Sequence, residues 1–379
     1  MARSKTHART PGARQPRPTA IDLFCGAGGF SLGLEQAGFN VTLGVDNWGI
    51  ATDTYANNFT HTVVCADLAR SKGRTLLKAS GARRGDVDLV VGGPPCQGFS
   101  IQRIGSDHDS RNSLVLEYAR LLKEILPRLF VLENVPGLIG ARGKPLFNRF
   151  VDIMTAAGFG VAFNVVDAVN YGVPQHRRRV LVLGWRRKDT SQFIFPPVSH
   201  AKGCHKTVMD AIGDLPAAAA RDAEKVGDVL HRETRLSDLN LRRLLLIPPG
   251  GGMQDLPVAM RVRCHKKGAD AIGHRYVYGR LAPDRPANTI TARFDSFTRG
   301  RFAHPHAHRN ITLREGARLQ TFPDTFHFCG NQEDIAAQIG NAVPPALAQA
   351  IGTAAIQSLL TPRGSGGAGT QVQQMALFV

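Results

Sequence analysis

The chain has 379 residues, and its 47 Lys and Arg outnumber 30 Asp and Glu, giving a formal net charge of +17 at pH 7. With 43% hydrophobic residues it has the composition of a soluble globular enzyme, and no apolar run approaches the roughly 20 residues that span a bilayer. The charge points to a polyanionic partner, nucleic acid before a membrane surface.

Residues 1–18 hold Arg3, Lys5, Arg9, Arg14 and Arg17 without an acid, the pattern of a disordered basic arm. From Thr19 short β-rich runs alternate with helical patterns. Ala20–Phe24 is a strand that ends in Cys25-Gly26-Ala27-Gly28-Gly29, and Phe30–Ala37 follows as a helix. Val41–Val45 is a second strand ending at Asp46. Helical Ile50–Phe59 precedes strand Thr62–Val64, which leads to Asp67. Val87–Val91 is the fourth strand and runs into Gly93-Pro94-Pro95-Cys96-Gln97. Ser113 caps a helix whose apolar face is Leu114, Tyr118, Leu121, Leu122 and Ile125. Leu129–Leu132 is another buried strand, ending in Glu133-Asn134-Val135, and Val180–Trp185 is the last.

This alternation predicts an α/β fold, a doubly wound and mainly parallel sheet with crossover helices. Residues 186–312 lose the rhythm and read as a smaller, irregular, DNA-facing domain. From Leu313 helical patterning returns as far as about Leu360 and completes the first domain, 19–185 with 313–360. The Gly-Ser-rich residues 361–379 read as a flexible tail. Six cysteines lie far apart with no CxxC pair, which argues against a disulfide framework and a zinc site and favours a reducing cytoplasm. Cys204-His205 and Cys264-His265 lack zinc-ligand spacing, so no metal is expected.

In a doubly wound sheet, ligands sit beyond the carboxyl ends of the strands. The glycine turn, Asp46, Asp67, Cys96 and Glu133 all fall there. The turn at Asp22–Phe30 departs from the GxGxxG spacing of dinucleotide sites. Asp46 is placed for two ribose hydroxyls and Asp67 for an adenine amino group. Adenosine recognition without a phosphate cradle suggests S-adenosylmethionine. A lone cysteine is more often buried and structural than reactive. Cys96 gains its interest from a rigid Pro-Pro turn at a strand end and from these neighbours.

Six segments in order resemble the motif set of the DNA (cytosine-5) methyltransferases. They are Asp22–Phe30, Gly93–Gln97, Glu133–Val135, Gln175–Arg179, Arg314–Gln320 and Gly340–Pro344, and the resemblance covers Ile21 to about Leu360. Arg285–Ile290 and Arg318–Asp324 resemble the bacterial restriction–modification enzymes in particular. The resemblance implies that Cys96 attacks cytosine C6, that Glu133 assists at N3, that Arg179 binds O2 and that Arg177 supports the cysteine-bearing loop. It implies cofactor contacts from Phe24, Gly26, Gly28, Asp46, Asp67, Leu68, Pro95 and Asn341. Substrate contacts are expected from Gln97, Ser100, Asn134, Gln175 and Thr289. The target base must be flipped out of the duplex, and residues 97–111 are expected to close over it.

Residues 186–312 would then be the target-recognition domain. Arg232, Arg235, Arg242, Arg243, Arg261, Arg263, Lys266, Lys267, Arg275 and Arg280 are its candidates for contacting phosphate or bases. The expected partners are double-stranded DNA, bound by a monomer, and a restriction endonuclease that acts on the same site. One departure stands out. Asp46 is followed by Asn47 before Trp48, so the adenine is covered by Trp48, Phe24 or Leu68. Alternatives are the transfer-RNA branch of the same family and a DNA-binding regulator that has lost catalysis. A small-molecule methyltransferase would explain neither the basic insertion nor the cysteine.

Overall fold

The computed structural model describes residues 16–95, 114–224, 227–262, 277–361 and the backbone of 373–374. Cys96, Gln97, Ser100, Arg103, Ser113, Arg263, Lys266, Lys267 and Arg275 lie outside the described residues.

The sheet follows from strands that are apolar on both faces, as a sheet covered on both sides requires. β1 (Thr19–Leu23), β2 (Asn40–Asp46), β3 (Thr62–Cys65), β4 (Leu89–Gly92) and β5 (Leu129–Asn134) are all parallel. β6 (Phe159–Asp167) and β7 (Arg178–Arg186) complete it, with β7 antiparallel to both β5 and β6. The order is β6-β7-β5-β4-β1-β2-β3, and a two-residue β10 (Gln373–Gln374) lies beside β6.

Successive side chains along each strand point to opposite faces, and the two hydrophobic clusters divide accordingly. Ile21, Val90, Phe130 and Leu132 face α3 (Gly73–Ser80), α4 (Leu114–Ile125) and α5 (Lys144–Ala156). Ala20, Leu89, Val91, Leu129 and Val131 face α1 (Gly29–Ala37) and the returning α10 (Pro345–Leu360). The return of the chain after residue 313 is thus a packing necessity: α1 and α10 cover one face together. No helix among the described residues is long and apolar enough to cross a membrane.

The sequence reading placed a boundary at each end of 186–312, and the packing does not divide there. Val208, Ile212, Leu230, Leu281, Ile290 and Phe294 share one cluster with Leu319 of α8 (Leu313–Leu319), Ile335 of α9 (Gln332–Asn341) and Tyr55 of α2 (Gly49–Asn58). Only the smaller cluster around Leu244, Met253, Leu256, Tyr278 and Phe297 stands apart.

That cluster is organised by arginines the sequence reading had offered to DNA. Arg280 is 3% exposed, and its guanidinium donates to the carbonyls of Leu244, Ile247, His304 and Ala307. Arg243 of α7 (Asp238–Leu245) donates to the Met260 carbonyl and lies 5.2 Å from the Tyr278 ring centroid. Arg232 bonds the carbonyls of Arg221 and Ala223, and Arg261 those of Gln254 and Leu256. Burying a cation is costly without such partners, so the buried Arg243 and Arg280 serve the fold. Arg235 and Arg242 are exposed and remain available to a polyanion.

Two predictions follow from this packing. A Cβ at Gly184, in β7 between two strands, would collide with the Phe130 ring. Gly184→Ala is expected to cost about 1–3 kcal/mol, read as a lower midpoint in denaturant. His304 Nδ1 accepts from the N–H groups of His306 and Ala307, and burial pushes its imidazole from 6.5 down to about 4. Between those values the unfolded chain binds a proton that the folded one does not, so this contribution to stability rises with pH and is lost on acidification. The slope of Tm against pH over that window should flatten in His304→Gln.

Candidate active site

The chain runs from β1 outward to β3, then returns to β4 on the other side of β1. This reversal leaves a crevice at the carboxyl ends of β1 and β4. A cleft of about 460 Å³ lies there, lined from Asp22 at one end to Glu133 and Arg179 at the other.

At the cofactor end, β1 finishes in a tight turn. Phe24 takes the left-handed conformation (φ 62°), which is costly for a residue with a side chain. Gly26 (φ 51°) donates its N–H to Asp46 Oδ2 at 2.8 Å, and a Cβ there would meet nothing within 4 Å. The backbone is therefore open to a ligand at Gly26. Asp46 Oδ1 accepts from Trp48 N–H at 2.9 Å. A carboxylate has about four lone-pair positions, so Asp46 retains acceptors for ligand hydroxyls. Burial holds its carboxyl above the ordinary range, against the pull of these amides.

Asp67 is exposed on the rim, where Oδ1 accepts from Ala69 N–H at 2.9 Å. Phe24, Trp48 and Leu68 all line the cleft, as do Pro95 and Asn341. Gly28 does not. Its φ of 97° serves the turn into α1, and a Cβ there would strike the rings of Phe59 and Tyr55. The two rings make it a packing position.

At the other end, the antiparallel course of β7 matters. Because β7 runs against β5, its first residues lie beside the last residues of β5, with Val180 opposite Asn134 and Leu181 opposite Glu133. Arg179 is delivered to Glu133 in this way: Nε lies 2.9 Å from Oε1, and the two side chains are 14% and 10% exposed. Asn134 donates from Nδ2 to the Pro94 carbonyl at 2.9 Å and accepts from Val135 N–H at 2.9 Å. It fixes the Pro94-Pro95 arm, the last described residues before Cys96.

Arg177 is 2% exposed, and its guanidinium donates to the carbonyls of Ile290, Gly340 and Ala342 at 3.0, 3.1 and 2.9 Å. Burial, with Arg179 nearby, pushes its pKa well below the usual arginine range. These bonds clamp the returning chain to the start of β7. Gln175 is fully buried: Nε2 bonds the Leu319 carbonyl and Gln320 Oε1, and Oε1 accepts from Ile290 N–H. Thr289 Oγ1 donates to the His176 carbonyl at 2.7 Å. Neither Gln175 nor Thr289 is among the residues that line the cleft, and their hydrogen bonds lace the two parts of the chain together.

Asp22 is the functional residue that the sequence reading passed over. It is 1% exposed on the cleft floor, and burial raises its carboxyl to about 7. The signal was present, an acid inside the apolar run Ala20-Ile21-Asp22-Leu23.

Buried polar atoms ordinarily find partners, yet three of the cleft-lining residues leave one without an aligned hydrogen bond: Glu133 Oε1, Arg177 Nε and Gln338 Oε1. A doubly wound sheet with acids at the nucleoside end of its cleft and a carboxylate–guanidinium pair at the other has a methyltransferase architecture. Residues 19–357 match the family model for C-5 cytosine-specific DNA methylase, and the chain belongs to that family.

It is 36% identical over 339 residues to the type II methylase M.HgiDII of Herpetosiphon aurantiacus, covering 87% of this chain and 93% of that one. It is 36% identical to the type II methyltransferase M1.HphI of Haemophilus parahaemolyticus, over 89% of this chain and 87% of that one. A solved DNA modification methyltransferase encoded within an E. coli prophage superposes with a TM-score of 0.70 at 26% identity, covering 90% and 99% of the two chains. The fold also recurs in DNMT2 of Spodoptera frugiperda, with a TM-score of 0.62 at 16% identity over 89% and 99%. The protein is a DNA cytosine-5 methyltransferase.

Arg177→Lys tests the clamp. An ammonium cannot reproduce the planar fork that serves three carbonyls, and the change is expected to cost about 2–4 kcal/mol through groups left unpaired. Chemical denaturation measures it.

Proposed function

We propose that this chain methylates C5 of a flipped cytosine in a specific duplex DNA sequence, with Cys96 as nucleophile and S-adenosylmethionine as methyl donor. The observation that carries the reading is the Glu133–Arg179 pair at the end of the cleft where the Pro94-Pro95 arm leads into Cys96. The residues at the other end suit the cofactor. Asp46 keeps free acceptors for ribose hydroxyls, Gly26 leaves room for close approach, and the acids Asp22 and Asp46 suit a cationic ligand. When bound, the cofactor supplies an electrophilic methyl group.

Cytosine C5 is a poor nucleophile until something adds to C6. The Cys96 thiolate forms the bond to C6, and Glu133 as the acid gives a proton to N3 so that charge does not build up on the ring. Arg179, beside Glu133, donates to O2 and orients the base. After C5 has gained the methyl, loss of its proton to a base returns the electron pair that expels the thiolate, and N3 gives its proton back to Glu133. Asn134 acts through Pro94: it positions the arm. Arg177 and Gln175 hold the chain on which Arg179 stands.

The basic surface, including exposed Arg235 and Arg242, supports a phosphate-lined path for duplex DNA. The type II names of the relatives support a restriction–modification setting with a companion endonuclease.

The test is transfer of labelled methyl groups to plasmid DNA and, in parallel, to transfer RNA. Label should enter only the DNA, and bisulfite sequencing of DNA from an expressing host should show one sequence modified. Cys96→Ser should abolish transfer while DNA binding persists. Glu133→Gln should lower kcat by about 10²–10⁴-fold. Label confined to RNA, or methylation by Cys96→Ser, refutes the reading.

A further inference from the structure

A line of hydrogen bonds leaves the cleft floor and crosses the protein to its surface. Ser31 Oγ lies 2.7 Å from Asp22 Oδ2 and 2.7 Å from Tyr55 Oη. Tyr55 Oη lies 2.6 Å from His61 Nε2, and His61 Nδ1 lies 3.2 Å from Glu35 Oε1. Asp22, Ser31 and Tyr55 are at most 1% exposed, whereas the Glu35 side chain is 40% exposed. β1, α1, α2 and the bend just before β3 each contribute, so the line is a property of the fold and not of one loop.

Each hydroxyl in the line owns one proton, and that restricts the order of donors. If Asp22 is a carboxylate, Ser31 must donate to it, Tyr55 must donate to Ser31, and His61 Nε2 must carry the proton that Tyr55 accepts. If Asp22 carries its proton on Oδ2, the sequence reverses: Asp22 donates to Ser31, Ser31 to Tyr55, Tyr55 to a bare Nε2, and Nδ1–H faces Glu35. For the carboxylate and for the Oδ2 acid alike, any mixed order leaves two polar atoms facing each other with no proton between them, at the cost of an unsatisfied buried group. The charge of Asp22 and the state of His61 Nε2 are therefore tied together across the protein.

We propose that Asp22, Ser31, Tyr55 and His61 form a proton-ordered relay that matches the charge of Asp22 to the charge of the ligand on the cleft floor. This rests on the cofactor reading given above. Arrival of a cation beside Asp22 favours the carboxylate. The Asp22 proton passes to Ser31 Oγ, the Ser31 proton to Tyr55 Oη and the Tyr55 proton to His61 Nε2. One carboxylic acid becomes a carboxylate and one imidazole becomes an imidazolium, and no proton is gained or lost. Glu35 is the counter-ion that receives the new charge. Once the methyl has left, the ligand has lost its sulfonium charge, the line can return to its first order, and the hold on the product weakens. Ser31, Tyr55 and His61 are positioning residues in this account; only Asp22 faces the ligand.

The surroundings favour this division of labour. Near Asp22 stand Cys25, Asp46 and Tyr118; burial pushes the thiol and the phenol well above their usual ranges, so both stay neutral. The Tyr118 hydroxyl is occupied by the Val90 and Val131 carbonyls. Asp46 adds repulsion that, after burial, holds the Asp22 carboxyl at about 7. Burial likewise keeps Tyr55 neutral, so it passes a proton without retaining a charge. Beside His61 the facing groups are Glu35, Tyr55 and the Phe59 ring.

The experiment is nitrogen-15 NMR of the histidine-labelled full chain, with the His61 ring signals assigned through His61→Gln. In the ligand-free protein, raising the pH through about 7 takes one proton from the line: Asp22 is left as a carboxylate, His61 releases its Nδ1 proton to solvent and keeps the one passed along the line, and Nε2 should change from acceptor to donor. Ser31→Ala and Tyr55→Phe cut the line at different points, and each should abolish that change. S-adenosylmethionine should drive His61 towards the imidazolium, and S-adenosylhomocysteine should do so less. The relay is overturned if the His61 titration is the same in the wild type and both variants, or if calorimetry shows the donor bound while His61 does not respond. Absence of binding with an intact ligand-free titration would instead refute the cofactor reading and uphold the relay.

Discussion

The Arg177 guanidinium, buried to 2% exposure, donates to carbonyls at Ile290, Gly340 and Ala342. Those carbonyls belong to stretches that lie more than a hundred residues from it in sequence. Without that junction, β7 would still pair with β5, but the wall formed by residues 338–343 would have no fixed distance from Glu133. The cleft has two sides because one cation joins them. Its burial carries a desolvation cost, which the carbonyl dipoles offset only while all are present. The site is thus sensitive to a residue that need not touch substrate.

Gln175 reinforces the same junction with a neutral group, its amide saturated by Leu319, Gln320 and Ile290. The family resemblance gave the three residues different roles, Gln175 a substrate contact, Arg177 a support for the cysteine-bearing loop and Arg179 a hold on cytosine O2. Gln175 and Arg177 precede β7 (Arg178–Arg186), so their directions are set by the loop that leads into the strand. Gln175 turns into the core, Arg177 into the seam, and Arg179 alone reaches Glu133.

Strand ends were legible because apolar runs stop abruptly at Asp46, Gly93 and Glu133, and a parallel sheet must place such ends on one edge. The chain between Lys144 and Asp167 gave no comparable signal. α5 and β6 lie beyond the last motif-bearing strand end, and β6 enters the sheet only through its antiparallel partner β7. Charge was the most misleading guide. Arg243 and Arg280 count towards the net +17 just as Arg235 and Arg242 do, yet the first two are spent on carbonyls inside their own cluster. A guanidinium can be buried where enough acceptors converge, and convergence is a property of three-dimensional folding that a sequence count does not contain. The turn glycines divided likewise: Gly26 faces the cleft, whereas Gly28 faces two aromatic rings.

The two ends of the cleft answer opposite electrostatic problems. The floor holds two acids, Asp22 and Asp46, whose carboxyls burial lifts and whose repulsion a cationic ligand would relieve. The far end pairs Glu133 with Arg179, but Oε1 has no aligned hydrogen bond in that pair. A planar base offering a ring nitrogen to Glu133 and a carbonyl oxygen to Arg179 would give each group a partner that the empty pair lacks. The donor end and the acceptor end are each incomplete alone, and the ligand proposed for each supplies the charge or hydrogen-bonding group that its end is missing.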